Sequence, residues 1–122
     1  NQIAVKAVLQ LDLTGYKPQA ESEDMFLIMD YTSAALSQKL RSLIQAYTSL
    51  SVGETECGYA CSDHASWHSV GTPAVFPFET SFDNMNSRLH TSSDRMEYLD
   101  KKHAGNFARV ALAYAGDLAV LR

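Results

Sequence analysis

IAVKAVLQLDLTGY, residues 3 to 16, carries β-branched and alternating apolar residues that stop at Thr14-Gly15. That pattern predicts a largely buried strand over Ile3 to Leu13, ended by a turn. Asp12 then stands near the strand's carboxyl edge, where open α/β sheets place their functional groups. Outward from it, YKPQAESED (16–24) is a polar loop containing Pro18, and Met25 to Met29 is a second short buried strand. Thr32-Ser33 opens a helix with Ala35, Leu36, Leu40, Leu43, Ile44 and Tyr47 on the 3.6-residue period. Ser51 to Glu56 reads as a short strand. A short helix begins at Ser62, with Asp63 in its first turn and Gly71 past its end. PAVFPFE (73–79) is a strand interrupted by Pro77, which predicts an edge strand or a strand end. Thr80 to Arg95 is polar and reads as a surface loop. A last helix runs from about His103 to Leu121, with Phe107, Val110, Ala111, Tyr114 and Leu118 on one stripe. Strands alternating with helices predict an α/β fold, its sheet mostly parallel or mixed and flanked by helices.

With 122 residues, 46% of them hydrophobic and 20% charged, the chain has the size and balance of one soluble globular domain. Its net charge is −4 and its ten Lys and Arg are scattered, so no basic stripe exists to neutralise phosphates, which argues against nucleic acid as a partner. No apolar run approaches the roughly 20 residues that span a bilayer. Asn1 leads almost directly into the strand pattern, with no signal-peptide pattern before it. A Gly-rich phosphate loop and a GxSxG elbow are both absent.

The densest chemical cluster is CGYACSDHASWH (57–68), with Cys57, Cys61, His64 and His68. Its ligand types suit a Cys2His2 zinc site. The spacing does not, because only Ser62 and Asp63 separate the pairs where a finger needs about a dozen residues. His64 and His68 have the i, i+4 spacing of HExxH, yet Ala65 stands where the glutamate belongs. The other reading is a disulfide closing a five-residue turn, followed by a helix whose histidines serve packing and hydrogen bonding. Asp12, taken alone, is a strand-end aspartate that is a metal-ligand or catalytic candidate but suits a capping or turn role better, and His90 alone reads as a solvated loop histidine.

Read together, LDLTGY (11–16), CGYACSDHASW (57–67), PAVFPFE (73–79) and NMNSRLHTSSD (84–94) resemble the secreted bacterial leucyl aminopeptidases, co-catalytic zinc exopeptidases. Motif order and spacing match over essentially the whole chain. The resemblance implies an α/β fold, secretion (or export to a periplasm), and hydrolysis of apolar, leucine-like amino-terminal residues from peptides. It implies two zinc ions sharing a bridging aspartate, each with one further carboxylate and one histidine. Asp12 matches the terminal carboxylate on one zinc, and His90 the histidine on the other. Cys57 and Cys61 match a disulfide that lines the substrate pocket, and Tyr59 the tyrosine whose hydroxyl helps hold the reacting carbonyl. Leu13, Ile28, Phe76, Phe78, Phe82, Met85 and Leu89 match the apolar side-chain pocket.

The family's bridging aspartate, its other histidine, its second carboxylate and its glutamate general base all precede LDLTGY and have no match here. No Glu-Glu pair occurs in the sequence. The chain is therefore expected to be the carboxy-terminal part of one catalytic domain, contributing one ligand to each zinc and no catalytic base. Alone it should be inactive and bind zinc weakly, its partners being the amino-terminal part of the domain, a peptide substrate and a second copy across an open sheet edge. Two rival readings are a truncated, non-catalytic peptide-binding protein and a small Cys/His metal-binding module.

Overall fold

A computed structural model of the protein describes residues 3–120. Four strands and three helices follow in the order β1 (Val8–Leu9), β2 (Met25–Ile28), α1 (Ala34–Tyr47), β3 (Val52–Thr55), α2 (Asp63–Ser69), β4 (Ala74–Phe78) and α3 (Lys101–Val120). Short 3-10 turns at Phe82–Asn84 and Met96–Tyr98 shape the segment between β4 and α3. The strands form one mixed sheet in the order β1-β4-β2-β3. β1 runs parallel to β4 and β2 parallel to β3, whereas β2 and β4 are antiparallel.

Alternation along β2 divides the core in two. Met25 and Leu27 face one side of the sheet and pack with Val75, with Leu40 and Ile44 of α1, and with Phe107, Val110 and Tyr114 of α3. Phe26 and Ile28 face the other side and join Cys57, Phe76 and Phe78. All four β2 residues are buried, as expected of a strand covered on both faces. The second face is covered in part by α2, whose His64 ring lies 4.8 Å from that of Phe76. A Cβ at Gly53 would stand 2.6 Å from Cε1 of Phe26, so only glycine lets that ring lie against β3.

The first strand is shorter than expected. Only Val8 and Leu9 enter the ladder, and Ile3 and Val5 are exposed rather than buried, because no described element packs over them. β4 is not an edge strand: it lies between β1 and β2 despite Pro77. The ladder explains why this is tolerated. Carbonyls of Pro73 and Val75 accept from Val8 and Gln10, so odd-numbered positions of β4 point towards β1. Pro77 therefore points to that same side, beyond the last β1 bond, where no N–H is required.

Thr80 to Arg95 is not wholly a surface loop, since Thr80 and Asn86 are buried. Glu21 gathers its start, accepting from Thr80 Oγ1 (2.6 Å), Ser81 N (3.1 Å) and Asn84 Nδ2 (3.2 Å). Burial opposes ionisation of Glu21, but these hydrogen bonds outweigh it and hold the carboxyl below its ordinary range. The last helix begins at Lys101, two residues earlier than predicted. Asp100 precedes it, and its Oδ1 accepts from His103 N at 2.8 Å in the manner of an N-cap. Leu121, the predicted end of that helix, lies outside the described residues.

Candidate functional site

Past the carboxyl ends of β1 and β4 lies a cavity of about 220 Å3, lined by Asp12, Leu13, Tyr59, Cys61, Phe76, Phe78, Phe82, Met85, Leu89 and His90. Three stretches that are distant in sequence, 12–13, 59–61 and 76–90, meet here. Ile28 and Cys57, also expected at the pocket, do not line it. They stand behind its wall, packed with Phe26, Phe76 and Phe78.

The walls are apolar and aromatic. Phe76 and Phe78 meet edge to face at 5.4 Å, Phe82 tilts against Phe78 at 6.0 Å, and Tyr59 lies 6.1 Å from Phe82. Tyr59 lines the cavity yet is 58% exposed. Its placement comes from a tight turn. Cys57 and Cys61 are disulfide-bonded with Cα atoms 6.1 Å apart, and Gly58 between them takes φ +79°. Asp30, two residues past the end of β2, accepts from Cys57 N (3.0 Å) and Gly58 N (2.9 Å) and so ties the turn to the sheet. That bond between the sulfurs removes both thiolates from any Cys2His2 site.

The polar side of the cavity is Asp12 and His90. Asp12 Oδ2 accepts from Ser62 Oγ at 2.8 Å, and Ser62 Oγ in turn accepts from Gln10 Nε2 at 3.0 Å. This relay holds the carboxylate through Oδ2. Leu13 (φ 59°) and His90 (φ 61°) both hold left-handed backbone conformations. Such non-glycine residues cost on the order of 1–3 kcal/mol each and cluster where a side chain must be aimed. Both line the cavity, and both sit beside or at a candidate ligand.

A buried carboxylate, unmarked in the sequence reading, supports the Asp12 segment from beneath. Glu79 Oε2 accepts from Gly15 N (2.6 Å) and Tyr16 N (2.7 Å). Burial pushes its carboxyl above the ordinary range, Asp12 and Asp94 push the same way, and the two N–H bonds only partly oppose them. Asp30 was missed in the same way. Each accepts backbone N–H groups far away along the chain, a relation no local pattern announces. One signal was available for Asp30: like Asp12, it follows directly on an apolar strand.

His64 and His68 diverge from the cavity. His64 is buried, with Nε2 3.2 Å from the Asp30 carbonyl, so that nitrogen carries the proton and donates. His68 is on the exposed side of α2, its ring edge-on to Tyr31 at 6.3 Å. Carboxylate and imidazole are suitable zinc donors, and Asp12 and His90 bring one of each to a single cavity. Among the described residues no group of three or more His, Cys, Asp or Glu is placed to hold a metal ion. The donor types fit zinc; a complete shell of about three protein ligands needs more than this chain brings together.

Residues 1–115 match peptidase family M28. Leucine aminopeptidase 1 of Penicillium rubens is 42% identical over 123 residues, covering 98% of this chain and 32% of its own length. The LapA aminopeptidase of Legionella pneumophila is 46% identical and superposes with a TM-score of 0.88 over 93% of this chain and 31% of that one. A zinc aminopeptidase from Bacillus subtilis, 18% identical, shares the fold, with a TM-score of 0.76 over 93% of this chain and 28% of its own. The chain thus spans about a third of the length of the relatives it matches.

Proposed function

The chain belongs to peptidase family M28, and from that premise we propose that its cavity is the substrate side of a di-zinc aminopeptidase site that removes leucine-like residues from peptide amino termini. One observation carries the reading: Asp12, His90 and Tyr59 line a single, largely apolar cavity. In this reading Asp12 donates to one zinc and His90 to the other. The remaining donors and the general base belong to the part of the relatives' length that this chain does not span. Bound there, zinc would supply Lewis-acid polarisation of a carbonyl and a lowered pKa for water.

The chain's own residues do the rest. Phe76, Phe78, Phe82, Met85 and Leu89 take an apolar side chain out of water, worth roughly 1.5–3 kcal/mol for a leucine. Removing methylenes from the substrate forfeits about 1–3 kcal/mol each, which gives leucine its advantage over alanine. The Tyr59 hydroxyl, held by the disulfide turn, donates to the scissile carbonyl oxygen. The Ser62 hydroxyl keeps the Asp12 carboxylate oriented. The disulfide supports secretion or periplasmic export, because such bonds persist in oxidising compartments.

The test uses the full-length protein containing this chain, loaded with zinc. It should release p-nitroaniline from leucyl-p-nitroanilide but not from the N-acetylated substrate, and should favour leucine over alanine by ~10-fold or more. Absence of release from the free-amine substrate would sink the proposal. Equal release from the acetylated one would leave a peptidase that does not read the amino terminus.

A further inference from the structure

We propose that Glu79 is a positioning residue: its carboxyl oxygen grips the backbone of the turn after Asp12 and thereby fixes the aim of the Asp12 carboxylate. The inference rests on the reading of Asp12 as a zinc donor. Asp12 follows a two-residue strand and lies outside any ladder, so the sheet itself does not fix it. What fixes it is a clasp on the next residues. Glu79 Oε2 accepts from Gly15 N at 2.6 Å and Tyr16 N at 2.7 Å. From the opposite side, Asp100 N donates to Gly15 O at 2.7 Å, and Tyr16 bridges to Leu99.

The clasp is itself anchored. Glu79 is only 4% exposed and directly follows β4. Its backbone oxygen accepts from His103 Nε2 at 3.0 Å, which ties it to the first turn of α3. Glu79 thus joins β4, α3 and the Asp12 turn at one point. Between Asp12 and this clasp lies Leu13, in a left-handed conformation at φ 59°. Such a residue persists only when its surroundings over-determine it. With Ser62 orienting Oδ2 from one side and Glu79 holding the turn from the other, the carboxylate has two supports.

What matters in this account is the reach of an acceptor oxygen, not the charge. Glu79→Gln keeps a carbonyl oxygen at the same reach. Glu79→Asp keeps the charge but draws it back by one methylene, out of range of both N–H groups. Zinc affinity of the full-length protein, measured by equilibrium dialysis against buffered zinc, separates the two. Glu79→Asp should weaken one of two zinc sites by about 10-fold or more, the usual effect of losing an outer support, and leave the second unchanged. Glu79→Gln should bind both zinc ions as the unsubstituted protein does. The opposite ranking, equal losses in both variants, or two undisturbed sites in both would each overturn the positioning role while leaving the aminopeptidase reading intact. Should the unsubstituted protein bind no zinc, both fall together.

Discussion

His64 and His103 are buried imidazoles, each with Nε2 donating to a carbonyl and Nδ1 without a partner among the described residues. Burial holds both pKa values below the ordinary 6.5, against the opposing pull of Asp30 and Glu79 respectively. The unfolded chain therefore binds these protons first. Their contribution to stability is complete above pH 6.5 and is lost as pH falls from there through the depressed folded values. Chemical denaturation at stepped pH should show stability declining below pH 6.5, and a flat profile down to pH 5 would contradict the burial account. Glu79 has the reverse sign. Its folded pKa is raised above 4.5, so it favours the fold below pH 4.5 and loses that contribution as pH rises through the folded value. Glu79→Gln should thus be no less stable than the unsubstituted protein at pH 7, and a clear drop in denaturation midpoint would show that the charge itself is needed. At this scale Asp12 and His90 could be singled out because their residue types sit in recognisable stretches of sequence, and the structure brings both to one cavity. Glu79 and Asp30 were not, since their meaning lies in N–H groups 63 or 64 and 27 or 28 residues away.

Among elements, β2, α1, α2 and β3 were legible within a residue or two, because each carries its own period or cap. Ser33 caps α1 through Leu36 N at 3.4 Å, a long bond, so Ser33→Ala should cost about 0.5 kcal/mol, towards the low end for caps. β1 is shorter than expected and β4 is not at the sheet edge, although Pro77 does stand one residue from the end of β4, as the other expectation had it. Strand length and edge position depend on neighbours, and Pro77 reads as an edge signal only until its direction in the ladder is known. The disulfide turn illustrates how an element serves the site. A five-residue loop restricts the unfolded chain by only about 2 kcal/mol, less than a long loop would. Asp30 still holds Cys57 N and Gly58 N when the bond is cut. Replacing both cysteines by alanine in the full-length protein should therefore lower the unfolding free energy by about 2 kcal/mol and reduce turnover more than that loss accounts for, because Tyr59 is loosened. Unchanged turnover, measured below the unfolding temperature, would show that the turn does not place Tyr59 for catalysis.

At the scale of the whole molecule, the sheet of the described residues has two edge strands, β1 and β3. Among the described residues β1 pairs only with β4, and Ile3, Val5 and Leu11 around it are exposed. An open edge flanked by apolar side chains is a template for another chain. The isolated 122-residue chain should self-associate, and sedimentation equilibrium giving a stable 13.5 kDa monomer at micromolar concentration would contradict this. Two donors also make too few ligands for tight binding, so the isolated chain should not hold zinc at micromolar levels. The fold class was legible in the alternation of strand and helix; the open edge was legible only as an expectation, since it depends on what lies beyond these residues. The central claim is that Asp12 and His90 serve two different metal ions. Anomalous diffraction at the zinc edge from crystals of the full-length protein tests it most directly. Two zinc peaks are expected, one about 2.0–2.2 Å from an Asp12 oxygen and the other about 2.0–2.1 Å from a His90 nitrogen. Zinc bound away from both residues, or at His64 or His68, would contradict the account.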